Sequence, residues 1–417
     1  MVKNTAYFLF ILLMLPAFSQ AETIEVCASC PITTIQSAVD KASEYDTIVV
    51  KEGVYKENGI IVSKSLHIKG EGKAIIDAGN KEGIITVQET ENLTIEGLTF
   101  RNVEISYIRD YAAIKLIRSK HCVLKDNLLE NTFFGIYLEK SDSCLVENNY
   151  VTGNAKTESS SGNAIHIWNS NYNTIKDNTV EGHRDGIYLE FAKNSDIINN
   201  ISRKNIRYGL HFMFSDDNLY QENSFIKNGA GVAVMYSKRI TMTKNNFANN
   251  QGAASYGLLL KDITDSNISD NVFRNNTTGI FAEGTNRTEV RNNEISRNGW
   301  GVKMMGSCDE LIITHNNFRA NTFEVSANAK RPGSNSFTGN YWSSYTGYDL
   351  DKDGLGDIPH RPVKLFSYLL SRSPASVVLL RSMFTDLLEL AEKITPVLTP
   401  EFITDEEPLM KPINLKQ

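Results

Sequence analysis

Four residues carry the chemistry that stands out first: His211, Met213, Met235 and Met305. Thioethers combined with an imidazole form a soft donor set that selects Cu(I) over hard cations. The spacing brings two of them together. Met213 and Met235 are 22 residues apart, one period of a repeat in which neighbouring coils lie about 4.8 Å apart. His211 is two residues before Met213, and so on the same face of an extended strand. Two other assignments stay open from the residues alone. Methionine commonly fills gaps inside a core, and a one-residue shift of register would turn these side chains inward. The same column also holds Trp168, Leu259 and Phe281, which fits an exposed apolar strip for docking a partner.

A second candidate metal site lies near the C-terminus. Asp349, Asp351, Asp353, Gly354 and Asp357 match the first nine positions of a calcium loop, with carboxylates at alternate positions and glycine at the sharp turn. The bidentate glutamate of the twelfth position is replaced by His360. A Ca2+ site and a metal-free Asp/Gly turn are therefore both expected readings. Glu139, Glu190 and Glu283 share the methionine face, with Asp185, Asp216 and Asp217 near the turns. Glycosidic-bond chemistry needs carboxylates gathered at defined separations, and these are scattered, so they read as solvated charges.

Five cysteines are present. Cys27 and Cys30 form a C-x-x-C for which a disulfide and a soft-metal clip are both reasonable. Cys122 and Cys144 are one period apart, close enough to permit a disulfide without requiring one. Cys308 reads as a small buried hydrophobe.

The elements that position these groups follow from the repeat. Glycines fall at 135, 186, 209, 231, 257, 279 and 301, the last intervals being 23, 22, 26, 22 and 22. Each block runs from glycine through an alternating apolar stretch, a polar turn and a second short stretch to asparagine. A fixed period of this size marks a solenoid whose core exists only by stacking. Strands of three to five residues give roughly three sides per coil, and crossover handedness makes the expected fold an all-β, right-handed parallel β-helix. Counting from each glycine, the first and third following residues should point inward and the second and fourth outward. Asparagine suits the corners, where it tolerates a left-handed backbone and can pair from coil to coil.

Residues 1–21 have the basic start, apolar centre and small-residue exit of a cleaved signal peptide. Residues 22–50 are expected to cap the open sheet edge, with a helix over 34–42, and the solenoid to run over 51–345. An Asp/Gly-rich loop and linker then occupies 346–372. Over 373–417, a helix beginning at Ser373-Pro374 and extending through Ala375 to Lys393 carries Leu387 and Leu388, and the tail around Met410 reads as a docking segment. The chain has 43 Lys and Arg against 49 Asp and Glu and no basic run, so a nucleic-acid partner has no electrostatic support.

Several strings resemble one family: "YGLHFMFSDDN" (208–218), "GAGVAVMYSKRITM" (229–242), "YGLLLKDITDS" (256–266), "GNYWSSYTGYDLDKDGLGDIPHRPV" (339–363) and "PLMKP" (408–412). They resemble the NosD-type periplasmic maturation factors for nitrous oxide reductase. The resemblance implies a β-helix assembly factor with no catalytic residues that handles Cu(I), sulfur or both for a copper-sulfide centre. Its implied partners are a copper chaperone, the reductase and an ABC transporter, whose membrane subunit would meet residues 373–417. The N-terminal C-x-x-C is a departure from that pattern, and no role is implied for it. A carbohydrate-active lyase, epimerase or hydrolase and a non-catalytic binding scaffold are the alternatives, because fold alone selects no function.

Overall fold

The computed structural model of the protein describes residues 21–327, 334–394 and 403–415; the expected signal peptide falls almost wholly outside them. Short parallel strands form three sheets of 14, 12 and 13 strands, each strand paired with its counterpart one coil before and after. This is the expected right-handed parallel β-helix. The interior is filled by aliphatic and aromatic stacks such as Phe225, Phe247 and Phe273, all fully buried, with Phe247 and Phe273 face to face at 4.5 Å.

Two devices set the coil. The first is the inward asparagine ladder. Nδ2 of Asn127 donates to Oδ1 of Asn149, and the pattern repeats through 178, 200, 223, 245, 271, 293, 316 and 340 at 2.9–3.1 Å. In an Asn-Asn pair the two residues divide the work. Asn148, Asn199 and Asn292 take the left-handed backbone of the corner, while Asn149, Asn200 and Asn293 enter the ladder. The second device is the glycine column. A Cβ on Gly231 would lie 2.2 Å from the carbonyl oxygen of Gly257, closer than any side chain allows, so this coil must begin on glycine.

The ends differ from expectation. Strand Thr23–Val26 pairs in parallel with Thr47–Val50, so the first coil precedes the cap helix, which spans Ile35–Lys41. That helix starts on the carboxylate of Glu57, which accepts from the backbone N–H of Ile35 at 2.8 Å and of Gln36 at 3.2 Å. At the other end, the linker contains a helix, Leu365–Arg372, whose Phe366 ring sits 6.1 Å from Phe323 of the last coil. The single helix expected over 375–393 is two pieces, a 3-10 turn at Pro374–Leu379 and an α-helix at Met383–Ile394. Arg381, with φ at 64°, breaks it, because that backbone conformation cannot continue a right-handed helix.

The tail was expected to dock on a partner. Residues 403–415 instead pack on the last coil of their own chain. Asp405 bridges to Phe337 and Leu409 to Tyr341 in parallel, while Asn317 and Ile413 exchange a pair of hydrogen bonds at 2.9 Å. The physical cause is the open sheet edge, whose unpaired backbone groups need partners. Met410 is half-buried there, with its N–H donating to the Gly354 carbonyl at 3.0 Å.

Candidate functional site

Strand Tyr208–Met213 lies between Asp185–Glu190 and Ala230–Met235 in the 12-stranded sheet. Leu210 and Phe212 point into the core and are fully buried. The alternation then turns His211 and Met213 to the outer face. Met213 pairs in register with Met235, and both are half-exposed, so two thioethers project side by side from consecutive coils. The Tyr188 hydroxyl donates to the Met213 sulfur at 3.9 Å.

His211 is 5 % exposed although it belongs to the outer face. It ends a ring stack that climbs the coils: Tyr137 on His166 at 4.4 Å, His166 on Tyr188 at 4.8 Å and Tyr188 on His211 at 4.8 Å. Tyr208 closes its other side at 4.9 Å. Neither ring nitrogen of His211 has a hydrogen-bond partner, and neither does Nε2 of His166. A buried polar atom left without a bond costs about 1–3 kcal/mol, so such atoms in one place call for a functional account. Burial, and then the charge of Arg184, push the His166 imidazolium down to about 3, leaving a neutral ring near pH 7. Burial, and then Glu190, push Tyr188 up to about 12, which keeps its proton on.

One carboxylate read as solvated is not. Asp185 is fully buried, held through both carboxylate oxygens by Nε and Nη2 of Arg207 and 3.6 Å from Nδ1 of His211. Burial alone would raise its pKa; Arg207 and His211 outweigh that and hold it below the usual carboxylate range. It is invisible from spacing because Asp185 precedes the glycine and its partner lies 22 residues ahead. The remaining acids fit the solvated reading, Glu139 pairing with Lys115 and Glu283 with Lys261.

The other expected residues divide. Met305 faces outward and is half-exposed while Met304 is buried. Three coil steps separate Met305 from Met235, with Lys261 and Glu283 between them, a span of about 14 Å. It cannot share an ion with the other two. Leu259 is only 6 % exposed, so it is not part of an open docking strip, whereas Trp168 and Phe281 are half-buried. Leu387 is exposed and Leu388 half-buried on the helix Met383–Ile394.

In the Asp-rich loop, oxygens of Asp349, Asp351 and Asp353 lie within 4.8 Å of one another. Asp357 is not among them; its carboxylate accepts from the N–H of Leu350 at 2.7 Å. Cys27 and Cys30 form a disulfide. Cys122, Cys144 and Cys308 are buried free thiols. Among the described residues, no helix is long and apolar enough to cross a membrane.

A family model described as "Periplasmic copper-binding protein (NosD)" matches residues 39–161 and 148–347. The chain is 27% identical over 377 residues to a "Probable ABC transporter binding protein NosD" of Pseudomonas aeruginosa, covering 86% of this chain and 87% of that one. It is also 27% identical to a protein of the same description from Stutzerimonas stutzeri, covering 72% of each. Among solved structures, the A-module of mannuronan C-5 epimerase AlgE6 from Azotobacter vinelandii superposes with a TM-score of 0.56 at 16% identity, covering 73% of this chain and 93% of that one. At that identity the likeness is one of fold.

Proposed function

Because the chain belongs to the NosD family of periplasmic copper-binding proteins, we propose that it is a non-catalytic periplasmic assembly factor. It presents Cu(I) for building the copper-sulfide centre of nitrous oxide reductase. The observation that carries this reading is the pairing of Met213 with Met235 beside His211, an imidazole whose nitrogens make no hydrogen bond. Two thioethers and one imidazole suit a soft monovalent ion. Their half-exposed edge suits cargo that arrives from a copper chaperone and leaves to the reductase. Asp185, held by Arg207, keeps a negative charge 3.6 Å from Nδ1 of His211, the side of the ring where a carboxylate commonly supports a metal-ligating histidine.

The relatives' descriptions as transporter-binding proteins support partnership with an ABC transporter, which would tether the molecule to the inner membrane. The exposed apolar residues of Pro374–Ile394, Val378, Met383, Leu387 and Ile394 among them, are the contact we assign to its membrane subunit, with Leu388 and Met410 at the margin. Trp168 and Phe281 would flank the cargo site. A structural Ca2+ held by Asp349, Asp351 and Asp353 belongs to the same reading, with Asp357 shaping the loop.

Anaerobic titration of the mature protein with Cu(I), read by X-ray absorption, tests the proposal. One ion with sulfur and nitrogen neighbours is expected, lost in the Met213→Ala/Met235→Ala variant. Degradation of uronate polymers by a protein indifferent to copper would overturn it.

A further inference from the structure

We propose that Cys27 and Cys30 form a second, redox-gated Cu(I) site at the N-terminal end of the solenoid, holding the metal as a dithiolate when the disulfide is reduced. This goes beyond the copper reading of the methionine face and stands on different residues.

The disulfide is poorly suited to a structural role. It closes a loop of four residues, for which chain-entropy reasoning gives roughly 2 kcal/mol, against about 3 kcal/mol for a 15-residue loop. The turn it spans is already held by the backbone. The N–H of Cys30 donates to the Cys27 carbonyl at 3.2 Å, the N–H of Cys27 donates to the Ile32 carbonyl at 3.3 Å, and Val26 bridges to Ile32. The two Cα atoms, 5.0 Å apart, therefore keep their separation without the S–S bond. Both cysteines are half-exposed between exposed Ala28, Ser29 and Pro31, open to a reductant and to a metal donor. The Ser29 hydroxyl lies 3.4 Å from the Cys27 sulfur, placed to donate to a thiolate there.

The donor count selects the ion. Among the described residues, the group of three or more histidine, cysteine or acidic ligands that converges is Asp349, Asp351 and Asp353, far along the chain. The two sulfurs stand as a pair. Structural zinc asks for four ligands, whereas a pair of thiolates meets the preference of Cu(I) for soft ligands. Reduction is a thiol–disulfide exchange with a protein dithiol. One donor thiolate attacks a sulfur of the pair, its partner resolves the mixed disulfide, and two electrons pass to this chain while the donor becomes a disulfide. Binding then displaces the thiol protons to solvent and leaves copper in its +1 state. The site is at least six coils from Met213 in the stack, about 30 Å, so the two positions fill independently.

The test is an anaerobic Cu(I) titration of the mature protein as oxidised disulfide and after reduction on an immobilised phosphine. Reduction is expected to add one equivalent, with two sulfur neighbours in the copper X-ray absorption spectrum. That equivalent should vanish in Cys27→Ser/Cys30→Ser and survive in Met213→Ala/Met235→Ala, whose own loss reports on the other site. Circular dichroism of each variant verifies the fold. Equal stoichiometry in the two redox states overturns the proposal. So does an added equivalent that persists in the serine variant, which would belong to Cys122, Cys144 or Cys308.

Discussion

Asn340 donates its side-chain amide to Asp405 at 3.1 Å, across 65 residues of chain. On the coils from Asn127 to Asn316 the acceptor at this place is the next asparagine of the ladder. Asp405 supplies it after the repeat has ended. Its carboxylate, fully buried, also accepts from the backbone N–H groups of Gly339 and Asn340 at 3.0 Å and from the Trp342 indole at 2.9 Å. The tail thus satisfies the last coil as a further coil would have done.

Asp405→Ala should therefore be among the most damaging single changes in the chain. It leaves buried donors of three residues without an acceptor, and a buried group stripped of its bond costs about 1–3 kcal/mol. We expect a loss of roughly 3–5 kcal/mol, read as a lower denaturation midpoint. Hydrogen exchange should rise at 336–342 and 403–415 and stay unchanged near Asn149.

The solenoid, its glycine column and the outward direction of Met213 and Met235 follow from a period repeated many times, each copy reinforcing the phase. Asp405 belongs to no period. Thr23–Val26 pairs as the first strand without a glycine or asparagine to announce it. Asp185 reads as a solvated acid until Arg207 is folded over it, and Leu259 reads as exposed because alternation gives direction, not cover. The unbonded nitrogens of His211 and His166 are likewise products of packing that no spacing encodes.

Acid sensitivity should trace to His183. Its ring is enclosed, with Nδ1 against the Glu181 carbonyl at 3.1 Å and Nε2 against the Thr132 hydroxyl at 3.0 Å. Burial pushes it down to about 4, while the unfolded chain keeps the ordinary value near 6.5. The unfolded chain then takes up a proton that the folded chain refuses. Stability is full above about pH 6.5 and falls as pH drops toward 4, by about 3 kcal/mol from this group. His166 acts in the same direction. Urea midpoints between pH 7 and 4.5 should fall less steeply in His183→Gln than in the parent; an identical slope would remove His183 from the account.

The methionine column makes a graded prediction. Met213→Leu keeps apolar volume and removes the sulfur, a change that cores and surfaces tolerate at under about 1.5 kcal/mol. Cu(I) affinity in a competition assay should drop at least tenfold, or about 1.4 kcal/mol. Met235→Leu and His211→Gln should weaken it similarly. Met305→Leu, three coils away, should leave it unchanged, and equal losses at all four positions would point to a nonspecific thioether surface.

Phe214 and Tyr236 follow Met213 and Met235 and, with Phe191 one coil earlier, occupy equivalent corners, each with a left-handed backbone, φ between 51° and 53°. Their rings stack at 5.2 and 5.1 Å on an exposed edge. A left-handed backbone costs an ordinary side chain about 1–2 kcal/mol, and asparagine bears it best. Asn169 stands at the matching corner two coils before Phe214. Aromatic stacking returns about 0.5–1.5 kcal/mol per pair, so Phe214→Asn should shift the unfolding free energy by less than about 1 kcal/mol. A thermal midpoint within a few degrees of the parent would show that the solenoid does not require aromatic rings beside the thioethers. A large loss would show that the stack is part of what holds these coils together.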